Sequence, residues 1–287
     1  MRQSGPRIAV IDGLRGIAIL LVIYQHVYSV ALRDVISKNF GVFPWVIGHG
    51  WMGVSLFFIL SGFVLALPFF VAPGQMTTLS SALHFYARRS KRLLPLFFFM
   101  AFVSFAVAVH SNPGAFRSLV LTLSTASMFT TREFFPSINA PFWSLALEIW
   151  FSVLFPILLI AVVRTSTMAI AISIGSIALG VRIVGTDFPF INSNVNPVKD
   201  SVPARLDDFV VGMALARLYA TNRLPQLRSY HALLGIACIA LAGALWDLAP
   251  SLPRVMVSLF NVVVQGGVAL VLIAALNSKT RVARISR

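Results

Sequence analysis

From position 51 to position 71 the chain runs for 21 residues without one charged side chain. As a helix rising ~1.5 Å per residue, such a run just crosses the ~30 Å hydrocarbon core of a bilayer. Comparable apolar runs recur at residues 14–32, 93–110, 141–163, 168–184, 231–248 and 255–276, and a shorter one at 209–219. In hydrocarbon each backbone N–H and C=O must find its partner inside the protein, and a helix provides it. The pattern predicts an all-α fold, a polytopic membrane helical bundle of about 8–9 transmembrane helices. It forms one domain over residues 1–287, with no repeat and no linker composition.

Composition closes the other classes. Hydrophobic residues make up 58% of the chain and charged residues 11%, against about 25% charged in soluble domains. A net charge of +14 would point to nucleic acid in a soluble protein. Here the cations collect in short loops between apolar runs, where they set orientation, so no nucleic-acid partner is expected. The single cysteine, Cys238, excludes an intrachain disulfide and a thiolate metal site. The N-terminus does not read as a cleaved signal, because Asp12 and Arg15 interrupt the approach and Gln25 and His26 follow the apolar run.

Residues 118–129 are shorter than the ~17 residues a crossing helix needs, which leaves a re-entrant segment or a crossing. If they are re-entrant, fifteen of the 23 Lys and Arg residues lie on one side and eight on the other; if they cross, the division is twelve to eleven. The positive-inside rule favours the first, with eight full crossings and both ends in the cytoplasm, in the inner (cytoplasmic) membrane. The run at 209–219 is too short to cross unless Arg205, Asp207 and Asp208 enter as a satisfied polar cluster. The loop before it in the chain, residues 185–203, is rich in Asn, Pro and Asp and could cover a polar site.

Four features carry chemistry. Arg15 and His26 are eleven positions apart, so at ~100° per residue they leave one face of a helix, ~16 Å apart along its axis. That puts an imidazole near mid-bilayer; the alternative is a snorkelling Arg and a His that only ties helices together. Glu148 lies inside an apolar run, where a carboxylate is costly unless paired, protonated or wet. Arg88, Arg89, Lys91 and Arg92 precede the run at 93–110. They serve either as a positive-inside anchor or, through guanidinium forks at Arg89 and Arg92, as a phosphate site. Gly50, Gly53, Ser55, Ser61 and Gly62 either let helices approach closely or leave room for a ligand.

Together these motifs resemble the membrane-bound acyltransferase family 3. Asp12-Gly-Leu-Arg15 followed by His26 is similar to its Arg-to-His signature. The stretch from Gly53 to Phe63, Gly-Val-Ser-Leu-Phe-Phe-Ile-Leu-Ser-Gly-Phe, resembles its second element, Arg89-Ser-Lys-Arg92 its Arg-x-x-Arg element, and Trp143-Ser-Leu-Ala-Leu-Glu148 its Trp-Ser-Leu-x-x-Glu. Arg205 with Gly212 is similar to a weaker, later element. The family usually continues past a segment like Val282-Ala-Arg-Ile-Ser286, and this chain stops at Arg287, so a member lacking the last helices is expected.

The resemblance implies transfer of an acyl group, most often acetyl, from acyl-CoA to a hydroxyl of a carbohydrate or glycan-containing acceptor. Acyl-CoA would be a donor substrate, with no permanently bound cofactor and no metal; the other partners would be the glycan acceptor and the lipid bilayer. An imidazole, with an ordinary pKa near ~6.5, suits removal of a hydroxyl proton, so His26 is the expected base. Glu148 would orient it, and Arg15 would hold the donor or stabilise the thioester oxygen. Arg89, Arg92 and Lys91 would bind CoA phosphates, and Gly53, Ser61 and Gly62 would give the thioester room. Trp143, Ser144, Asp12 and Arg205 are the candidates for substrate contact. Two rivals are a proton-coupled secondary transporter of a small polar solute, which would also use an intramembrane His and Glu, and a binding or structural membrane protein.

Overall fold

A computed structural model describes residues 8–28, 50–72, 74, 76, 78–186, 196–246 and 251–285. Among them it is helical, without strands: α1 (Ala9–Val27), α2 (Met52–Val71), α3 (Leu79–Ala108), α4 (Ala115–Leu123), α5 (Phe142–Arg164), α6 (Thr167–Gly185), α7 (Val202–Ala220), α8 (Ser229–Trp246) and α9 (Arg254–Ile285), with a 3-10 turn at Ala126–Phe129. The end of the first apolar run, at residues 29–32 with the charges that follow, most of the Asn-rich loop, and the last two residues lie outside the described residues.

Among the described residues, seven helices are long and apolar enough to cross a membrane: α1, α2, α3, α5, α6, α8 and the Arg254–Ser278 part of α9. The eighth crossing expected from the sequence, α7, is long enough at 19 residues, about 28 Å, but carries Arg205, Asp207, Asp208 and Arg217. Two of these charges, Arg205 and Asp207, are held in ion pairs. Arg205 Nε donates to Asp200 Oδ1 at 2.9 Å, Arg182 of α6 pairs with Asp207, and Arg182 Nε donates to the Ala204 carbonyl at 2.9 Å. Burial lowers the Lys199 ammonium below the ordinary lysine range, with Asp200 opposing and Arg205 and Arg182 reinforcing the shift.

α4 has nine residues, about 13 Å, less than half of a hydrocarbon core, so the segment at 118–129 does not form a crossing helix. Its buried residues, Ala115, Ser118, Leu119 and Thr122, follow the i, i+3, i+4, i+7 spacing of one helix face. Ala115 and Leu119 join Phe97 and Ala101 of α3, Ile138 and Phe142 in one apolar cluster.

Residues 1–71 with 208–287 form one compact unit, and residues 72–207 a second. In the first, α2 is the centre, with Phe58, Ile59, Leu60 and Phe63 completely buried. It crosses α7 where two glycines face two carbonyls: a Cβ on Gly62 would overlap the Phe209 oxygen, and one on Gly212 the Ile59 oxygen. Such close approach is how small residues let membrane helices pack. Gly212→Ala gains about 1 kcal/mol of helix propensity but sets a methyl against a backbone that cannot rotate away, at a cost of roughly 1–3 kcal/mol. A lowered thermal midpoint in detergent is expected, and a lower one for Gly212→Leu; an unchanged midpoint would show that the crossing has slack.

Candidate active site

α1 places Arg15 and His26 on one unbroken helix, so the eleven-residue register read from the sequence holds. The face of α1 that meets α2 lies beside them. Gly53 packs so that a Cβ would sit 2.8 Å from the Ala18 oxygen, and the Arg15 guanidinium lies 5.9 Å from the centre of the Phe57 ring, a cation–π arrangement. Arg15 is half-buried, and Asp12 and His26 are exposed.

The imidazole has a defined orientation. His26 Nδ1 lies 2.7 Å from the Val22 carbonyl one turn back. A carbonyl only accepts, so in the neutral ring the proton is on Nδ1 and Nε2 is the basic nitrogen. The backbone of α1 itself thus orients the ring.

Glu148 belongs to the second unit, where it is part of an ion pair. α3 and α5 run antiparallel, matched rung by rung. Phe85 stacks on Phe155 at 4.9 Å, Tyr86 Oη donates to the Val153 carbonyl at 2.8 Å, and Phe97 meets Phe142 edge-on at 5.5 Å. Between these rungs Arg89 Nη2 donates to Glu148 Oε1 at 3.1 Å, and Arg89 Nε and Nη2 donate to Ser152 Oγ at 3.2 and 3.1 Å. Ser152 in turn donates to the Glu148 carbonyl at 2.8 Å. Arg89 is 9% exposed and Glu148 4%, so this is a buried, multiply bonded ion pair.

The cations expected to act together on phosphate thus divide. Arg89 faces α5, whereas Arg88, Lys91 and Arg92 are exposed on the outer side of α3. A fork shared between Arg89 and Arg92 is not the arrangement seen: Arg89 is buried in its pair with Glu148, and Arg92 is exposed. The room expected beside Gly53 and Gly62 is filled by the backbones of α1 and α7, which leaves those two glycines as packing positions. The Ser61 hydroxyl, 1% exposed, meets no partner among the described residues.

The remaining candidates sit at helix ends. Trp143, 8% exposed, packs against Phe134 and Phe135 at ring distances of 6.1 and 5.9 Å, and Ser144 Oγ donates to the Pro141 carbonyl at 3.0 Å, both in the first turn of α5. Arg205, 4% exposed, is held by Asp200. The sequence reading passed over Ser152, one turn beyond Glu148 on the same face, and Arg182, a charge inside an apolar run that the rule applied to Glu148 would have flagged. Among the described residues no three His, Cys, Asp or Glu side chains gather into a metal-binding group.

Residues 8–286 match the acyltransferase domain of acyltransferase family 3. The chain belongs to that family. It is 27% identical over 233 residues to YrhL of Bacillus subtilis (strain 168), covering 76% of this chain and 34% of the relative. To the peptidoglycan O-acetyltransferase OatA of Listeria monocytogenes it is 26% identical over 254 residues, 82% of this chain and 38% of the relative. To the O-acetyltransferase OatA of Staphylococcus aureus (strain NCTC 8325 / PS 47) it is 23% identical over 249 residues, 81% and 38%. This family member thus spans little more than a third of the length of the curated relatives it matches. No solved structure matches it significantly.

Proposed function

We propose that this family 3 member is a membrane O-acetyltransferase that moves an acetyl group from acetyl-CoA to a hydroxyl of a cell-envelope glycan. The observation that carries the reading is His26, exposed on α1 with its ring oriented by the Nδ1 bond to the Val22 carbonyl, in register with Arg15. The relatives named as peptidoglycan O-acetyltransferases favour peptidoglycan, or a sugar related to it, as the acceptor.

In this reading His26 Nε2 takes the proton of the acceptor hydroxyl as its oxygen attacks the thioester carbonyl. The C–S bond breaks, and the imidazolium returns the proton to the leaving thiolate. Arg15 lies ~16 Å along the helix from His26, beyond the span of one side chain from the reacting carbonyl. It therefore holds the donor and does not stabilise the oxyanion. Arg92 and Lys91, exposed and on the cytoplasmic side by the cation count, take the CoA phosphates, while Arg89 secures α3 to α5.

Membranes carrying the protein, given labelled acetyl-CoA and peptidoglycan fragments, are expected to release CoA and to form alkali-labile acetyl esters. Solute uptake coupled to protons, with no ester formed, would favour the transporter instead. Arg92→Lys keeps the charge but loses the fork, and losing a charge-assisted hydrogen bond costs roughly 1.5–3 kcal/mol. The acetyl-CoA concentration for half-maximal transfer should rise about tenfold or more. An unchanged value at saturating acceptor would return Arg92 to lipid anchoring.

A further inference from the structure

Hydroxyls inside these helices mostly bond to the carbonyl one turn back, as Thr122, Ser152, Thr165 and Thr221 do at 2.7–2.8 Å. Two buried serines break the habit. Ser258 on α9 is completely buried and Ser61 on α2 is 1% exposed, yet neither hydroxyl has a partner among the described residues. The Gln265 amide nitrogen on α9, a residue 7% exposed, is in the same position. α2 and α9 belong to one compact unit and pack against each other.

Ser258, Asn261 and Gln265 follow a 3-4 spacing, which places them within about 60° of one another around α9. All three are buried, inside the Arg254–Ser278 segment that is long and apolar enough to cross a membrane. From Ser258 to Gln265 the stripe extends ~10 Å along the axis. Polar residues in membrane helices serve either as glue between helices or as the lining of a path. Glue joins a donor to an acceptor across a helix pair, and among the described residues the Ser258 and Ser61 hydroxyls and the Gln265 amide nitrogen have no hydrogen-bond partner. Each can donate a hydrogen bond, and none carries a charge. Such a set complements a neutral, extended chain that bears carbonyl, ether or hydroxyl oxygens, and it lacks the cation that a phosphate would require.

We propose that the buried α9 stripe of Ser258, Asn261 and Gln265, with Ser61 on the neighbouring α2, is a subsite for the neutral oxygen-bearing stretch of a substrate. The inference rests on the acyl-transfer reading, which supplies two sources of that chemistry. One is the two-amide pantetheine arm of the donor; the other is the ring and hydroxyl oxygens of the acceptor sugar.

Gln265→Leu and Ser258→Ala remove the donors with little change of shape. In the purified full chain in nanodiscs, each should leave the thermal midpoint unchanged or raised, because an unpaired buried polar group is lost, whereas a severed interhelical bond lowers it. Each should also raise KM for one substrate by about three- to tenfold, the effect of one neutral hydrogen bond, with kcat little altered. A rise for acetyl-CoA, with weaker stabilisation of the protein by phosphate-free pantetheine, assigns the stripe to the donor arm. A rise for the peptidoglycan fragment, with weaker stabilisation by a peptidoglycan disaccharide, assigns it to the acceptor. Both KM values unchanged would overturn the subsite: a lowered midpoint would mark the stripe as glue, and an unchanged one as a water-filled seam. If the parent protein transfers no acetyl at all, the acyl-transfer reading fails by itself, and binding of pantetheine and of the disaccharide still tests the stripe.

Discussion

His26→Ala is expected to insert and fold like the parent protein and to transfer no measurable acetyl. The ring is exposed, and its Nδ1 bonds to its own helix at the Val22 carbonyl, so its removal leaves no cavity in the core. Placing a general base in the transition state contributes typically ~10²–10⁴-fold, and the rate should fall by at least that range. His26→Gln keeps a polar side chain of similar reach but cannot take the proton, and it should be equally inactive. The measurement is acetyl-ester formation per folded protein, with folding judged by detergent elution and thermal midpoint. Near-parental transfer by either variant would remove His26 from the mechanism.

The second large effect concerns the α3–α5 clasp. Removing one partner of a buried ion pair leaves the other uncompensated, at a cost of about 3–5 kcal/mol. Glu148→Leu strands the Arg89 guanidinium, and Arg89→Met strands the carboxylate, so each single variant should show a strongly lowered midpoint and poor recovery from membranes. Replacing both by apolar residues of similar volume is often neutral or stabilising for a buried pair, so the double variant should regain most of the lost stability. A double variant no more stable than the singles would mean that Ser152 and its neighbours need the charges. If the recovered double variant also transfers acetyl, the pair's role is to fix α3 against α5; if it folds but is inactive, Glu148 or Arg89 acts on substrate as well.

The parts of this architecture that depend on periodicity could be read from the chain. The Arg15–His26 register needs only a continuous helix, and α1 is one. α4 could be recognised as too short to cross because length alone decides it. The third span was read from Leu93 because hydropathy begins there, whereas α3 starts at Leu79, behind a reciprocal Thr78–Ser81 cap. A helix that carries its basic residues mid-length is invisible to a hydropathy criterion, although the Thr-x-x-Ser spacing marked its true start. Partners across the fold could not be read at all. Arg89 and Arg92 are alike in type and close in spacing, and only the arrival of α5 on one side of α3 sends the first inward and leaves the second outside. Likewise the entry of α7's charges into an apolar environment was conditional on partners, and those proved to be Asp200 and an arginine on a different helix.

The glycine contacts between α1 and α2 also set a limit on motion. Gly50 receives the Leu21 carbonyl and Gly53 the Ala18 carbonyl, while Phe57 lies under Arg15, three successive steps along an antiparallel pair. Such a pair is indexed like two meshed racks. Turning α1 by a single residue swings each carbonyl about 100° from the notch that accepts it and drives it into a bulkier neighbour. The height of His26 in its unit is thus a fixed coordinate, and under the proposed acyl transfer any approach to the imidazole falls to the donor's acyl chain and the acceptor, not to a sliding of α1.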